Sequence, residues 1–203
     1  MMYRKLYRNG LVLTVLLGFL LASCSTTKQE MRADDWVFGE NQIKLHIKTS
    51  QDLNFFDNNP HNLLLAVFQM SDPNMFNSLK SSTEGLQKLL VMDDFDASLA
   101  ILNVKKIELA PGSSKTELLD RAKSAKYVGI IAGYFYLNPD RVAEIVSIEP
   151  IYPKKKGFAA ANPLSDPPPP IPGHLEIWLE LEKEGIHHVN KYIGESFKPR
   201  SEL

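Results

Sequence analysis

Leu175-Glu176-Ile177-Trp178-Leu179-Glu180-Leu181-Glu182 decides the fold class. Leu175, Ile177, Leu179 and Leu181 alternate strictly with Glu176, Trp178, Glu180 and Glu182. That period of two puts four aliphatic side chains on one face of an extended strand. Glu184-Gly185 then reads as a hairpin turn, and Ile186–Ile193 returns beside the first strand.

Upstream, Tyr152–Gly173 interrupts the pattern with Lys154-Lys155-Lys156, small residues at Ala159–Ala161, and prolines at 167–170 and 172. Such a stretch favours polyproline II and cannot pack a core, so 152–173 reads as an accessory loop. Val142–Ile148 is a further strand. Tyr127–Tyr136 is apolar on both faces, with Gly129, Ala132 and Gly133 making room for neighbours, and reads as a buried strand. Lys115–Leu119 stays open between strand and helix, because Leu118, Leu119 and Ala122 have helical spacing. Pro111-Gly112 marks a tight turn after the strand Ala100–Leu109. Leu63–Met70 is an apolar run broken only by Gln69, which suits a central strand. Ile43, Leu45 and Ile47 alternate with Lys44, His46 and Lys48, the pattern of a half-buried strand.

One helical excursion breaks the series. Asp72-Pro73 supplies a helix start, with Asp72 as cap and Pro73 in the first turn. Phe76 and Leu79 follow on one face. Thr83 can cap a second helix carrying Leu86, Leu89 and Leu90, and Gly85 weakens the join, so two short helices or one kinked helix are expected. Six to eight short strands with turn signals between them predict a mainly β protein, a β-sandwich over 42–194 with a short inserted helical element. Residues 195–203 read as a frayed tail.

The N-terminus reads as an address. Arg4, Lys5 and Arg8 precede the apolar stretch Leu11–Leu21, and Leu21-Ala22-Ser23-Cys24 closes it with small residues. This is the pattern of a secretory signal peptide over 1–23, too short for a membrane span, which needs about 20 apolar residues. Leu-Ala-Ser-Cys resembles a bacterial lipobox, which implies acyl chains on Cys24 as the first mature residue. Each buried CH₂ adds about 0.8 kcal/mol, and two or more chains hold a protein at a membrane. Ser25, rather than Asp, after the Cys implies sorting to the outer membrane. Cleavage would remove three basic residues and no acidic one, taking the formal charge from −1 to −4. Residues 24–41 are polar and lack periodicity, and read as the lipidated Cys and a flexible tether.

The composition excludes several classes. With 203 residues, 44% apolar and 23% charged, the chain is neither disordered throughout nor fibrous. A single Cys rules out an intramolecular disulfide and any multi-Cys metal site. A formal charge of −1 gives no electrostatic case for nucleic acid.

Four features occur in order: the lipobox; Leu64-Leu65-Ala66-Val67-Phe68-Gln69-Met70 with the helical Phe76 segment; Leu109-Ala110-Pro111-Gly112; and Ala125-Lys126-Tyr127-Val128-Gly129-Ile130-Ile131-Ala132-Gly133-Tyr134. Together they resemble the TssJ (SciN-like) family, the outer-membrane lipoproteins of type VI secretion systems. The resemblance covers roughly 43–149 with the anchor and the terminal hairpin. It implies a transthyretin-like β-sandwich and a non-enzymatic role: docking the periplasmic part of the inner-membrane IcmF-like (TssM) subunit at the outer membrane. It implies no cofactor beyond the covalent lipid on Cys24. In the family the loop between the first two strands contributes to that contact, which by position falls on Leu53, Phe55, Phe56, Asp57, Asn58 and Asn59. Two departures stand out. Phe135-Tyr136 occupies a place where the family often has Arg, and the stretch 152–173 is longer than the family pattern.

The residues themselves leave alternatives. Phe55-Phe56 in a polar loop either packs back onto the sandwich or meets a partner. Ser, His and Asp are present, but no Gly-x-Ser-x-Gly or glycine-rich oxyanion signature accompanies them, so a hydrolase is not expected. His187 and His188 are adjacent on a strand and point to opposite faces, so they cannot ligate one metal. A periplasmic lipoprotein binding a small ligand or carbohydrate in a sandwich pocket is the alternative function. No strand face gathers the Trp, Asp and Asn that would line a sugar site.

Overall fold

The alternating stretch becomes β9 (His174–Leu181), next to the edge of a four-stranded sheet of order β10-β9-β1-β4. Its neighbours are β10 (Ile186–Gly194), β1 (Gly39–Thr49) and, beyond β1, β4 (Ser114–Arg121). This computed structural model describes residues 30–93, 100–157, 160, 162 and 165–197. The signal peptide, Cys24, part of the tether, residues 158, 159, 161, 163 and 164 of the proline-rich loop, and 198–203 lie outside the described residues.

β1 and β9 run parallel, with Ile43 opposite Leu175 and Leu45 opposite Ile177, whereas β1–β4 and β9–β10 are antiparallel. The second sheet is antiparallel throughout, in the order β3-β2-β5-β6, from β3 (Ile101–Leu109), β2 (Leu63–Met70), β5 (Tyr127–Gly133) and β6 (Ala143–Ser147). This is the transthyretin-like sandwich that the resemblance implies. Ile43, Leu45, Ile47, Leu175, Ile177 and Leu179 are at most 2% exposed and fill the space between the sheets with Leu65, Val67, Val128 and Ile130.

Two helices lie between β2 and β3: α1 (Asn74–Lys80) and α2 (Thr83–Val91). α1 starts one residue later than the sequence suggested, with Pro73 rather than Asp72 at its N-cap, although Asp72 still accepts the Asn74 N–H at 2.8 Å. The cap of α2 is Ser82, not Thr83, and its hydroxyl accepts the Gly85 N–H at 3.1 Å. Gly85 does more than weaken a join. A Cβ there would sit 1.9 Å from the Leu79 carbonyl, so only glycine lets the second helix start so close to the first. Phe76 meets Phe68 edge-on at 5.3 Å, and a Cβ at Gly129 would lie 2.6 Å from Phe76. The helices therefore cover the outer face of β2 and β5. Both faces of these strands are buried, and their sequences are apolar without alternation for that reason.

Lys115–Leu119, open between strand and helix in the sequence, is strand, within β4. The strand expected over Tyr127–Tyr136 ends at Gly133. Part of the stretch 24–41, read as a tether, is folded: a 3₁₀ turn occupies Ala33–Asp35, Trp36 is buried, and β1 begins at Gly39. The proline-rich loop is closed at its base by a two-stranded ribbon, β7 (Pro150–Ile151) with β8 (Ile171–Pro172). The tail folds back at least to Phe197, whose ring lies 5.0 Å from His174 and 4.2 Å from the Lys44 ammonium.

Candidate functional site

The β1–β2 loop, Ser50–Asn62, stands at one pole of the sandwich. Its shape follows from a few residues. Leu53 is fully buried and plugs the end of the core. The Ser50 N–H donates to the Leu181 carbonyl at 2.9 Å and the Phe55 N–H to the Lys183 carbonyl at 3.1 Å, which ties the loop to the β9–β10 turn. Asn54 adopts φ 48° and is 7% exposed. Its amide donates to the Asn62 carbonyl at 3.0 Å and accepts the Phe135 N–H at 2.8 Å, which fixes the loop to the β5–β6 connection.

The tip is a two-residue hairpin. Phe56 and Asn59 exchange backbone hydrogen bonds of 3.1 and 3.0 Å. Between them Asp57 and Asn58 have φ 49° and 57°. Positive φ at both central residues defines a type I′ turn, for which Asp and Asn are suited. The Asn59 side chain donates to the Asp57 carbonyl at 2.9 Å.

An aromatic stack backs the tip. Phe56 lies between His61, at 3.6 Å and 17°, and Phe135, at 4.1 Å and 12°. Tyr136 meets Phe135 edge-on at 5.0 Å. The Lys183 ammonium sits 4.5 Å over the Phe55 ring. Phe135 is 59% exposed and Tyr136 65%, so the stack ends in an apolar surface beside the acidic tip.

The residues singled out from sequence therefore divide. Leu53 has no surface to offer a partner, because it belongs to the core. Phe55 and Phe56 are half-buried, which combines both readings of the pair. Asp57, Asn58 and Asn59 form the exposed tip. Phe135 and Tyr136 were missed as surface, having been read into a buried strand. Asn138-Pro139 just beyond them carried a turn signal that could have ended that strand earlier.

Little here suggests chemistry. Among the described residues no cluster of three or more His, Cys, Asp or Glu side chains could hold a metal ion. A cleft of about 350 Å³ opens between the edges of β3 and β4, lined by side chains that include Asn103, Lys105, Glu117 and Asp120. It has no aromatic platform on which a sugar ring could stack.

Fold and site thus define a binding module: a rigid sandwich that presents a shaped loop and an aromatic patch at one end. The sequence pattern of the T6SS-SciN family, described as type VI secretion lipoprotein (VasD, EvfM, TssJ), matches residues 41–163. The chain belongs to this family of type VI secretion lipoproteins, and is TssJ-like. No curated protein sequence matches it. Among solved structures it resembles the type VI lipoprotein TssJ1 from Pseudomonas aeruginosa, with 12% identity over 77% of this chain and 96% of that one and a TM-score of 0.52. At that identity the likeness is one of fold. Lip from Serratia marcescens, a membrane-bound component of the type VI secretion system, matches with 17% identity over 74% and 96% of the two chains, at a TM-score of 0.48. A chain in the structure described as the TssM C-terminal domain from EAEC matches with 14% identity over 73% and 96%, at 0.49.

Proposed function

We propose that this protein docks the periplasmic part of an IcmF-like (TssM) subunit, using the β1–β2 loop tip and the adjoining aromatic patch, and is held at the outer membrane by acyl chains on Cys24. Family membership supports the partner, and the lipobox supports the anchor. The observation that carries the site is the rigid tip: two positive-φ residues locked by paired hydrogen bonds and backed by a ring stack that ends in exposed Phe135 and Tyr136. A preformed tip loses little conformational freedom on binding, and aromatic residues dominate such contacts. The role is structural and needs no catalytic group.

Binding of the purified lipoprotein to an IcmF-like periplasmic region tests this. Phe135→Ala/Tyr136→Ala and, separately, Asp57→Lys should each weaken binding tenfold or more, about 1.4 kcal/mol, with the melting temperature near wild type. Unchanged affinity in folded variants would sink the assignment. For the anchor, palmitate labelling should vanish in Cys24→Ser; equal labelling would refute acylation there.

A further inference from the structure

The opposite pole, where the chain enters the sandwich, holds a charge that the protein does not satisfy. Trp36 closes this end, and its carbonyl accepts the Ser124 N–H at 2.7 Å. The Arg121 guanidinium and the Lys126 ammonium each lie 5.9 Å from the Trp36 ring centroid. Arg121 ends β4 on its inward face and is 3% exposed. Its Nε and Nη1 are buried and have no hydrogen-bond partner among the described residues. None of the ion pairs among the described residues includes it.

A guanidinium cannot shed its proton to escape burial. The molecule handles its other deeply buried charge differently. Glu176 is 0% exposed, and its carboxylate receives the Lys44 ammonium at 3.2 Å and lies 2.7 Å from His46 Nε2. Arg121 shares the Trp36 ring with Lys126 but has no acceptor among the described residues. Two unused donors, with a second cation at the same ring, suit a ligand with several oxygen acceptors and negative charge.

We propose that Arg121 and Lys126 form an anion seat for a phosphate group, supplied by a lipid headgroup. Phosphate offers several acceptor oxygens and at least one negative charge, which matches the two unpartnered donors of Arg121 and the two cations that share the Trp36 ring. The headgroup source rests on acylation of Cys24. That residue lies a dozen positions before Trp36, within about 40 Å of chain when extended and about 20 Å as a coil. On that reading the pole that carries Arg121 and Trp36 lies within the anchor's reach.

The test uses the mature lipoprotein in uncharged detergent, with inorganic phosphate as probe. Phosphate at ten times its dissociation constant should raise the melting temperature by about 4 °C. Arg121→Met should melt higher than wild type without phosphate, because an unpaired charge is removed, and should show no phosphate shift. Lys126→Gln, which leaves the interior intact, should show a smaller shift than wild type. In nanodiscs, phosphatidic acid in a phosphatidylcholine background should stabilise wild type but not Arg121→Met. A phosphate shift without a phosphatidic acid effect overturns the headgroup source. No phosphate shift in wild type, or an Arg121→Met variant that melts lower, overturns the seat itself. The detergent arm reads the same with or without acyl chains, so loss of the anchor reading and loss of the seat are told apart.

Discussion

At the loop pole Asn54 is 7% exposed and uses both ends of its amide, one on Asn62 and one on Phe135. At the tether pole Arg121 is 3% exposed and leaves Nε and Nη1 unused. Both side chains are polar and both end the core. A satisfied buried amide rigidifies what surrounds it, while an unsatisfied buried donor carries its full desolvation penalty. The comparison separates a surface made ready before its partner arrives from a site completed by what binds it. Each pole also has an apolar plug, Leu53 at one end and Trp36 at the other, at 0% and 5% exposure.

Those plugs give the largest expected effects. Trp36→Ala should cost about 3–5 kcal/mol in denaturant unfolding, because it empties the tether end and removes the ring beside two cations. If the cost is under about 0.5 kcal/mol, the range usual for surface substitutions, Trp36 does not close the end of the core and that end is open. Leu53→Ala should cost about 2–5 kcal/mol, at the lower end if the loop collapses into the gap. Its second readout matters more. With Leu53 gone the tip loses its footing, so partner affinity should fall together with stability, unlike in Phe135→Ala/Tyr136→Ala. A Leu53→Ala protein that unfolds easily yet binds normally would show that the tip is held by its hydrogen bonds alone.

The regular parts of the sandwich were readable because burial writes a period into the sequence. β2 reads as an apolar run broken only by Gln69, since one face meets the other sheet and the other meets α1 and α2. The edge strand β4 carries no such signal. In β4 Lys115 and Thr116 are exposed and Leu118 is 50% exposed, so no alternation survives and helical spacing appears by coincidence. Glu176 alternates like an outward residue and is nonetheless 0% exposed, because Lys44 pairs with it across the parallel register and His46 closes on the same carboxylate. At the site, Phe55-Phe56 was visible as an anomaly in a polar loop. Its union with Phe135 was not, since that rests on a hydrogen bond spanning 81 residues. Trp36 was hidden for a related reason: the run Trp36-Val37-Phe38 is too short to show a period, and only the Ser124 contact and the cations beside it show that Trp36 belongs to the fold.

The smallest expected effect tests the tether pole through His174, at the start of β9. Its pKa lies below the ordinary 6.5, first because burial disfavours the charged ring and then because Arg121 repels it. The folded state therefore takes up this proton at lower pH than the unfolded chain does. Stability is fully present above 6.5 and declines as pH falls from there through the folded pKa, since the unfolded state binds the proton first. In Arg121→Met the repulsion goes and the burial stays. The His174 pKa, followed by NMR titration, should then move up towards 6.5 without reaching it, and the acid-side loss of stability should become shallower. Phosphate seated on Arg121 would cancel the same charge, so it should raise this pKa in the wild type and leave it unmoved in Arg121→Met. If the titration is the same in both proteins, the charge of Arg121 is already neutralised from within the fold, and the contrast between the two poles disappears.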